Sequence, residues 1–249
     1  MPRNPGILAP FPEGGGRFAT TRWSLVLAAG GTDSVEVRPA LGQLIERYWY
    51  PLYVFVRRKG HGSEEAFDLT QEFLSRLLDT NFLISADREK GKFRTFLLTA
   101  LERFLVDEWR RGTRQRRGGG RAMLSLSVVD AEERYVHEPA DTRTPELIYE
   151  RRWALTLLEQ TLARLRQECT STGKEELFKA VEPVLAADDA ARPYSEIAAG
   201  LSMSEGALKT AIHRLRRRFA AILRAEIAET VSDPRDVDEE IQHLFSSLQ

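Results

Sequence analysis

Residues 194–219 read YSEIAAGLSMSEGALKTAIHRLRRRF, two helical patterns on either side of a tight turn. Ile197 and Ala198 face inward in the first pattern, and the small alanine side chain allows a second helix to approach closely. Gly200, Leu201 and Ser202 supply the turn. Ser204 is a residue type that commonly caps a helix N-terminus, so the second helix should begin directly after it. The stretch predicts a helix-turn-helix.

The second helix of this unit is amphipathic, and its polar side is basic. Its inward positions recur at three- and four-residue steps and are Leu208, Ala211, Ile212, Leu215 and Phe219. The opposite side, called the recognition face below, carries Gly206, Lys209, Thr210, His213, Arg214 and Arg217. A helix that enters the negatively charged major groove needs such a face, with its first residues at base edges and its later arginines at phosphates. An ordinary helical hairpin with a solvated basic face is the alternative.

Charge is strongly segregated along the chain, although the 249 residues have a formal net charge of only -1. Six arginines and no acid lie between positions 110 and 121, and six basic residues and no acid lie between positions 206 and 225. Positions 226–240 hold seven acids against one arginine. Two basic blocks before an acidic tail predict an anionic polymer as partner. We also expect the acidic tail to compete with DNA for the basic helix.

Helical periodicity dominates the remainder of the chain, which predicts an all-α fold. We expect two small helical bundles joined by a flexible linker, the second bundle containing the helix-turn-helix. A glycine triplet and a loss of periodicity indicate the linker, and Thr144 followed by Pro145 indicates the start of the next helix. The predicted divisions are a partly disordered extension at 1–38, a first bundle at 39–117, a linker at 118–144, a second bundle at 145–227 and an acidic tail at 228–249.

Several classes of protein are disfavoured by composition. A single cysteine, Cys169, gives no disulfide framework, and the four scattered histidines show no metal-ligand spacing. No apolar run reaches the roughly 18 residues that a membrane span needs, and the N-terminus lacks a signal-peptide core. We therefore expect a cytoplasmic protein that does not bind a membrane, has no metal or other cofactor and has no catalytic residues.

Four segments in the first bundle carry a resemblance to a known family, together with the helix-turn-helix. They are YWYPLYVFVRR at 48–58, DLTQEFLSRLL at 68–78, GKFRTFL at 91–97 and DEWRR at 107–111. In this order, with a linker between the two bundles, they resemble bacterial RNA polymerase sigma factors of the extracytoplasmic-function (ECF) type. A longer stretch at 169–191 and the acidic tail depart from the family pattern.

The resemblance implies a role for three groups of residues. Those that would contact the clamp helices of RNA polymerase core are Asp68, Gln71, Glu72, Ser75, Arg76 and Asp79. Those that would read and open the −10 promoter element, partly as single strand, are Lys90, Lys92, Arg94, Thr95, Arg103, Arg110, Arg111 and Arg114. Those that would read the −35 element as duplex are Ser204, Glu205, Gly206, Lys209, Thr210, His213, Arg214 and Arg217.

The resemblance predicts a sigma factor that binds polymerase core, recognises both promoter elements and promotes DNA melting. It also allows an anti-sigma factor as a further partner. Two alternatives stay open at this point. One is a stand-alone helix-turn-helix regulator that does not bind polymerase core, which leaves the GKFRTFL segment unexplained. The other is an enzyme acting on nucleic acid, which would need a convergent carboxylate cluster or an activated nucleophile.

Overall fold

The structure, a computed structural model, describes residues 37–78, 92–112, 128–136, 142–185 and 193–249. The helices in these ranges are α1 (Val37–Arg58), α2 (Ser63–Leu78), α3 (Phe93–Gly112), α4 (Val128–Val136), α5 (Pro145–Ser171), α6 (Glu175–Leu185), α7 (Tyr194–Gly200), α8 (Glu205–Ala228) and α9 (Val237–Ser246). Within the same ranges the only extended pairing is an isolated antiparallel bridge between Lys92 and Val231. The all-α prediction is confirmed.

Helix starts follow the local sequence chemistry. The Thr144 hydroxyl accepts a hydrogen bond from the backbone N–H of Leu147, and Pro145 occupies the first helical turn, where its missing N–H costs nothing. The Ser204 hydroxyl accepts from the N–H of Ala207 at 3.2 Å and caps α8. Both predicted starts are confirmed.

Two hydrophobic clusters form the core, and they share helices. The larger cluster is built mainly from α1, α2 and α3, with Trp153 and Leu157 from α5 and Ile227 from α8. The smaller cluster surrounds α6, α7 and α8, and Leu165 of α5 packs in it. Because α5 and α8 contribute buried residues to both clusters, the two bundles are in direct contact.

The predicted linker contains a helix. Residues 128–136 form α4, so the expectation of a stretch without regular structure over 118–144 is wrong there. Ala131 is fully buried in the larger cluster, and Glu132 binds Tyr53 and Arg57 of α1. Among the polar residues of α4 there is a single buried position and one partly buried ion pair, and so short a pattern does not show helical periodicity. Linker residues 118–127 and 137–141 lie outside the described ranges, as do residues 1–36 of the predicted N-terminal extension.

The acidic tail folds back on the larger cluster. Val231, Val237, Ile241 and Leu244 are all buried in it, at exposed fractions of 0 to 6%. We expected the tail to compete with DNA for the basic helix; in the structure its apolar side packs on the larger cluster and leaves the recognition face exposed. Arg224, near the end of α8, is the residue of the second basic block that the tail does contact, through Asp238. Among the helices of the described ranges, none has the length and apolar character to cross a membrane.

Candidate nucleic-acid interface

The recognition face of α8 is exposed along its whole length. Every one of the eight residues predicted at the −35 element is solvent-exposed: Ser204, Glu205, Gly206, Lys209, Thr210, His213, Arg214 and Arg217. Leu208, Ile212 and Leu215 are buried on the opposite side, as the periodicity predicts. The apolar side of α8 is thus packed in the core, whereas its polar side faces solvent.

A tight turn sets the angle between α7 and α8. The Met203 N–H donates to the Ala198 carbonyl at 3.0 Å, and the Ser202 N–H donates to the Ala199 carbonyl. Ser202 has a φ of 53°, in the left-handed region that glycine adopts most readily. Of the three residues predicted to form the turn, Leu201 and Ser202 lie in it, whereas Gly200 is the last residue of α7.

The arginines of α8 divide into two groups by their partners. Arg216 donates to the carbonyls of Val184 and Leu185 at 2.8 and 3.3 Å and thereby caps the C-terminal end of α6. Arg218 pairs with both carboxylate oxygens of Glu168 at 2.7 Å, which lowers the pKa of that carboxyl group. No acidic side chain of the described ranges pairs with Arg214 or Arg217. These two cations can therefore bind an external anion.

The first charged residue of the recognition face, Lys209, forms an ion pair with a neighbouring side chain of α8. Lys209 pairs with Glu205 one helical turn earlier, at 2.6 Å. That hydrogen bond raises the pKa of Lys209, so the side chain remains a cation. Because both side chains are more than 45% exposed, the pair is weak and can exchange its partner. The Thr210 hydroxyl donates to the Gly206 carbonyl at 2.9 Å.

The face of α2 predicted to bind polymerase is a mixed polar surface. Asp68 is exposed, and the residues half-buried beside it are Gln71, Glu72, Ser75 and Arg76. Arg76 pairs with Glu72 on its own helix and with Glu108 of α3 at 2.9 Å. We call these five residues the clamp face; Asp79 lies outside the described ranges.

The residues predicted at the −10 element lie in two different environments. Thr95, Arg103, Arg110 and Arg111 are exposed along α3. Arg111 pairs with Glu108 at 2.5 Å, in an exposed interaction. Lys90 and Arg114 lie outside the described residues. Arg110 also pairs with Asp107 at 3.8 Å, so the exposed arginines toward the C-terminal end of α3 alternate with acidic side chains of the same helix.

At the start of α3 the predicted cations are already engaged. Arg94 is buried between Glu240 and Glu150, each at 2.5 Å, and stacks over the Trp153 ring. Burial opposes its charge, but the two carboxylates outweigh that effect and raise the pKa of Arg94. Lys92 pairs with Glu239 at 2.6 Å and with Glu240 at 3.3 Å. In this conformation Arg94 cannot contact DNA, because its guanidinium faces the interior.

Trp109 is a candidate binding residue that the sequence analysis missed. Its side chain is 73% exposed, and Val106, one turn earlier, is 48% exposed. Both lie on α3 among the exposed arginines. The signal was present in the sequence: neither residue belongs to the apolar stripe of Phe93, Phe96 and Leu97 that faces the core. A large exposed aromatic beside cations is suited to stack on an unpaired base.

A comparison with family models finds a match over residues 41–225, to the model described as ECF sigma factor. The match covers α2, α3 and the two helices around the tight turn in one continuous range. No curated protein and no solved structure matches the chain. Proteins of the matched family are non-enzymatic transcription factors that act with RNA polymerase core and promoter DNA in transcription initiation. This chain belongs to the ECF sigma factor family.

Proposed function

We propose that α8 reads the −35 promoter element as duplex DNA. The observation that carries the proposal is the exposed recognition face, in which Arg214 and Arg217 have no acidic partner in the described part of the chain. Arginine at this position of a helix can bind guanine edges or phosphates in the major groove. The Ser204 cap and the Arg216 contacts to α6 support the helix so that this face is preorganised.

The −10 element would bind along α3. Arg103, Arg110 and Arg111 would hold the backbone, and Trp109 would stack on a base that has left the duplex. Extruding a base costs a few kcal/mol, and stacking plus phosphate contacts can offset that cost. Melting then needs no nucleotide hydrolysis, because binding energy for the single strand replaces it. Lys90 and Arg114 are included in this proposal on their sequence positions alone.

The clamp face of α2 would dock on the clamp helices of polymerase core. Asp68 and Glu72 supply acidic groups at its exposed side, and Asp79 would extend the surface by a further turn. The Arg76 bridge to Glu108 ties this surface to α3. Polymerase docking and −10 binding would thus occur on adjoining sides of one rigid unit, within the cytoplasm, with an anti-sigma factor as a further regulator of the same surfaces.

The stand-alone regulator is not favoured. It accounts for α7 and α8, but the family match also covers the clamp face and α3, for which that alternative has no role. The two functions differ in whether polymerase core is needed.

One experiment tests the proposal. Purified protein is combined with core RNA polymerase and a library of genomic promoter fragments, and the transcripts are mapped. We expect transcripts that start at fragments sharing a −10 and a −35 motif and that depend on the added protein. Retention of a DNA duplex without any binding to core would support the stand-alone regulator instead.

A further inference from the structure

Two adjacent glutamates of α9 pair with cations at the start of α3, one glutamate being exposed to solvent and the other buried. Glu239 has a side chain that is 71% exposed, and it pairs with Lys92, which is 20% exposed. Glu240 has a side chain that is 1% exposed, and it pairs with Arg94, which is 8% exposed. The outer Lys92–Glu239 pair is open to solvent on its Glu239 side, whereas the inner Glu240–Arg94 pair is closed off from solvent. Glu240 also lies 3.3 Å from Lys92 and so contacts both cations.

The inner pair is held in place from several sides. Glu150 gives Arg94 a second carboxylate at 2.5 Å, and the Tyr149 hydroxyl donates to the Arg94 carbonyl at 3.2 Å. The Phe93 N–H donates to the Thr230 carbonyl at 2.9 Å, which gives the first N–H of α3 a partner. Lifting the tail would take one of the two carboxylates from Arg94, leaving Glu150, and would expose the apolar side of α9. We therefore expect the tail to stay docked.

The outer pair is less enclosed. The Glu239 side chain is 71% exposed and Lys92 keeps Glu240 at 3.3 Å when Glu239 leaves, so another anion can replace the Glu239 carboxylate at low cost. Lys92 stays anchored meanwhile, because its neighbours Phe93 and Arg94 are fixed by the tail and α5. Lys92 directly precedes α3, the helix that we propose to bind the −10 strand, at the end opposite to Arg110 and Arg111.

We propose that Lys92 is a nucleic-acid phosphate site that Glu239 occupies in the free protein, and that the Glu240–Arg94 pair holds this site in position. A backbone phosphate takes the place of the Glu239 carboxylate when nucleic acid binds. The inference rests on the proposed function of α3 and adds an internal competitor to it. It assigns opposite roles to two neighbouring carboxylates: Glu239 opposes binding, and Glu240 supports it.

The test uses the full chain and a fluorescein-labelled single-stranded dT20 at low ionic strength, with affinity measured by anisotropy. Glu239→Gln should bind about two- to fivefold tighter than the unchanged protein, the range that an exposed ion pair implies. The matched control is Glu176→Gln, which removes one exposed carboxylate while Lys179 keeps its pair with Glu175. Its affinity should stay unchanged. An equal gain in this control would overturn the proposal, because net charge alone would explain the effect.

Two further variants complete the test. The double variant Lys92→Gln with Glu239→Gln should lose the gain; if the gain persists without Lys92, the phosphate site is not there. Glu240→Gln should bind no tighter than the unchanged protein and should melt at a lower temperature. Tighter binding by Glu240→Gln would overturn the supporting role of that residue.

The outcome separates this inference from the proposed function. The dT20 measurement needs neither polymerase nor a promoter, so it reports on the Lys92 site alone. Absence of protein-dependent transcripts with core polymerase would contradict the proposed function while leaving a measured exchange at Lys92 intact. Conversely, promoter-specific transcription together with unchanged dT20 binding by Glu239→Gln would overturn only the inference.

Discussion

Arg94 and Glu240 lie 146 positions apart in the chain and form a buried ion pair with 2.5 Å between the Arg94 Nε and a carboxylate oxygen. The pair joins the first turn of α3 to the C-terminal helix. Such a pair is weak evidence for a gain in stability, but removal of one partner is costly because the other charge stays buried. The C-terminal segment is thus a structural part of the domain that carries α3.

This arrangement predicts a large difference between two neighbouring substitutions. Glu240→Gln should lower the free energy of unfolding by about 3 kcal/mol, since Arg94 would keep only Glu150. Glu239→Gln should change it by less than about 1 kcal/mol because the Glu239 side chain is 71% exposed and Lys92 keeps Glu240 at 3.3 Å. Urea denaturation followed by circular dichroism measures both values. Equal values for the two variants would contradict the buried role of Glu240.

The open arginines of α8 predict a change in the salt dependence of duplex binding. Arg214→Ala or Arg217→Ala should reduce the slope of log affinity against log salt by about 0.9 for each lost phosphate contact. Arg218→Ala is the matched control on the same helix, because Glu168 already pairs with that side chain. Its slope should match that of the unchanged protein. The measurement is a titration of promoter duplex at several salt concentrations; unchanged slopes for both test variants would remove α8 from the interface.

Charge reversal on the clamp face should abolish polymerase binding without unfolding the protein. Asp68→Lys combined with Glu72→Lys changes two side chains that are outside the hydrophobic clusters. Glu133→Lys combined with Glu176→Lys makes the same change in net charge on α4 and α6 and should leave binding intact. Co-purification with core polymerase measures the effect, and melting curves verify folding. Holoenzyme formation at normal levels by the first variant would exclude the clamp face.

Loss of the exposed Trp109 indole should affect promoter opening more than it affects binding to the closed, double-stranded promoter. Trp109→Ala should weaken binding to single-stranded −10 DNA by about 1 to 3 kcal/mol, the range for one base stacked on an aromatic side chain. Because the side chain is 73% exposed, stability should hardly change. Permanganate footprinting of unpaired thymines in the holoenzyme complex reports opening directly. Normal opening by Trp109→Ala would show that this side chain does not contact the melted strand.

The contact between α4 and α1 predicts a dependence on pH. Burial would raise the pKa of Glu132, but hydrogen bonds from Tyr53 and Arg57 outweigh it and lower that pKa below its ordinary value. The stabilisation is therefore complete above the ordinary glutamate pKa of about 4.3 and is lost as pH falls through the lowered value. The stability difference between the unchanged protein and Glu132→Gln should shrink below about pH 4. A difference that stays constant from pH 6 to pH 3 would contradict this contact.

The helices of the helix-turn-helix could be predicted because their signals are local. The Ser204 cap, the small Ala198 and the spacing of Leu208, Ile212 and Leu215 depend on neighbours within four residues. The exposed side of α8 then follows from helical geometry alone. The roles of Arg216 and Arg218 could not be predicted, because they depend on where α5 and α6 end in space.

The environment of Arg94 could not be predicted either. Its motif places it on an exposed binding segment, and only the return of the chain over more than a hundred residues brings Glu240 beside it. The acidic tail was expected at the basic helix because the two segments carry opposite charge. Its position is decided by apolar contacts instead, with Ile241 and Leu244 buried in the larger cluster.

Because α5 is shared between the two clusters, it affects how the protein unfolds. A helix of 27 residues extends about 40 Å, and here its two ends are packed in different cores. Neither core can unfold without exposing the buried residues at one end of α5. The same holds for α8, which also contributes buried residues to both cores. Calorimetry should accordingly show one cooperative transition, with equal calorimetric and van't Hoff enthalpies.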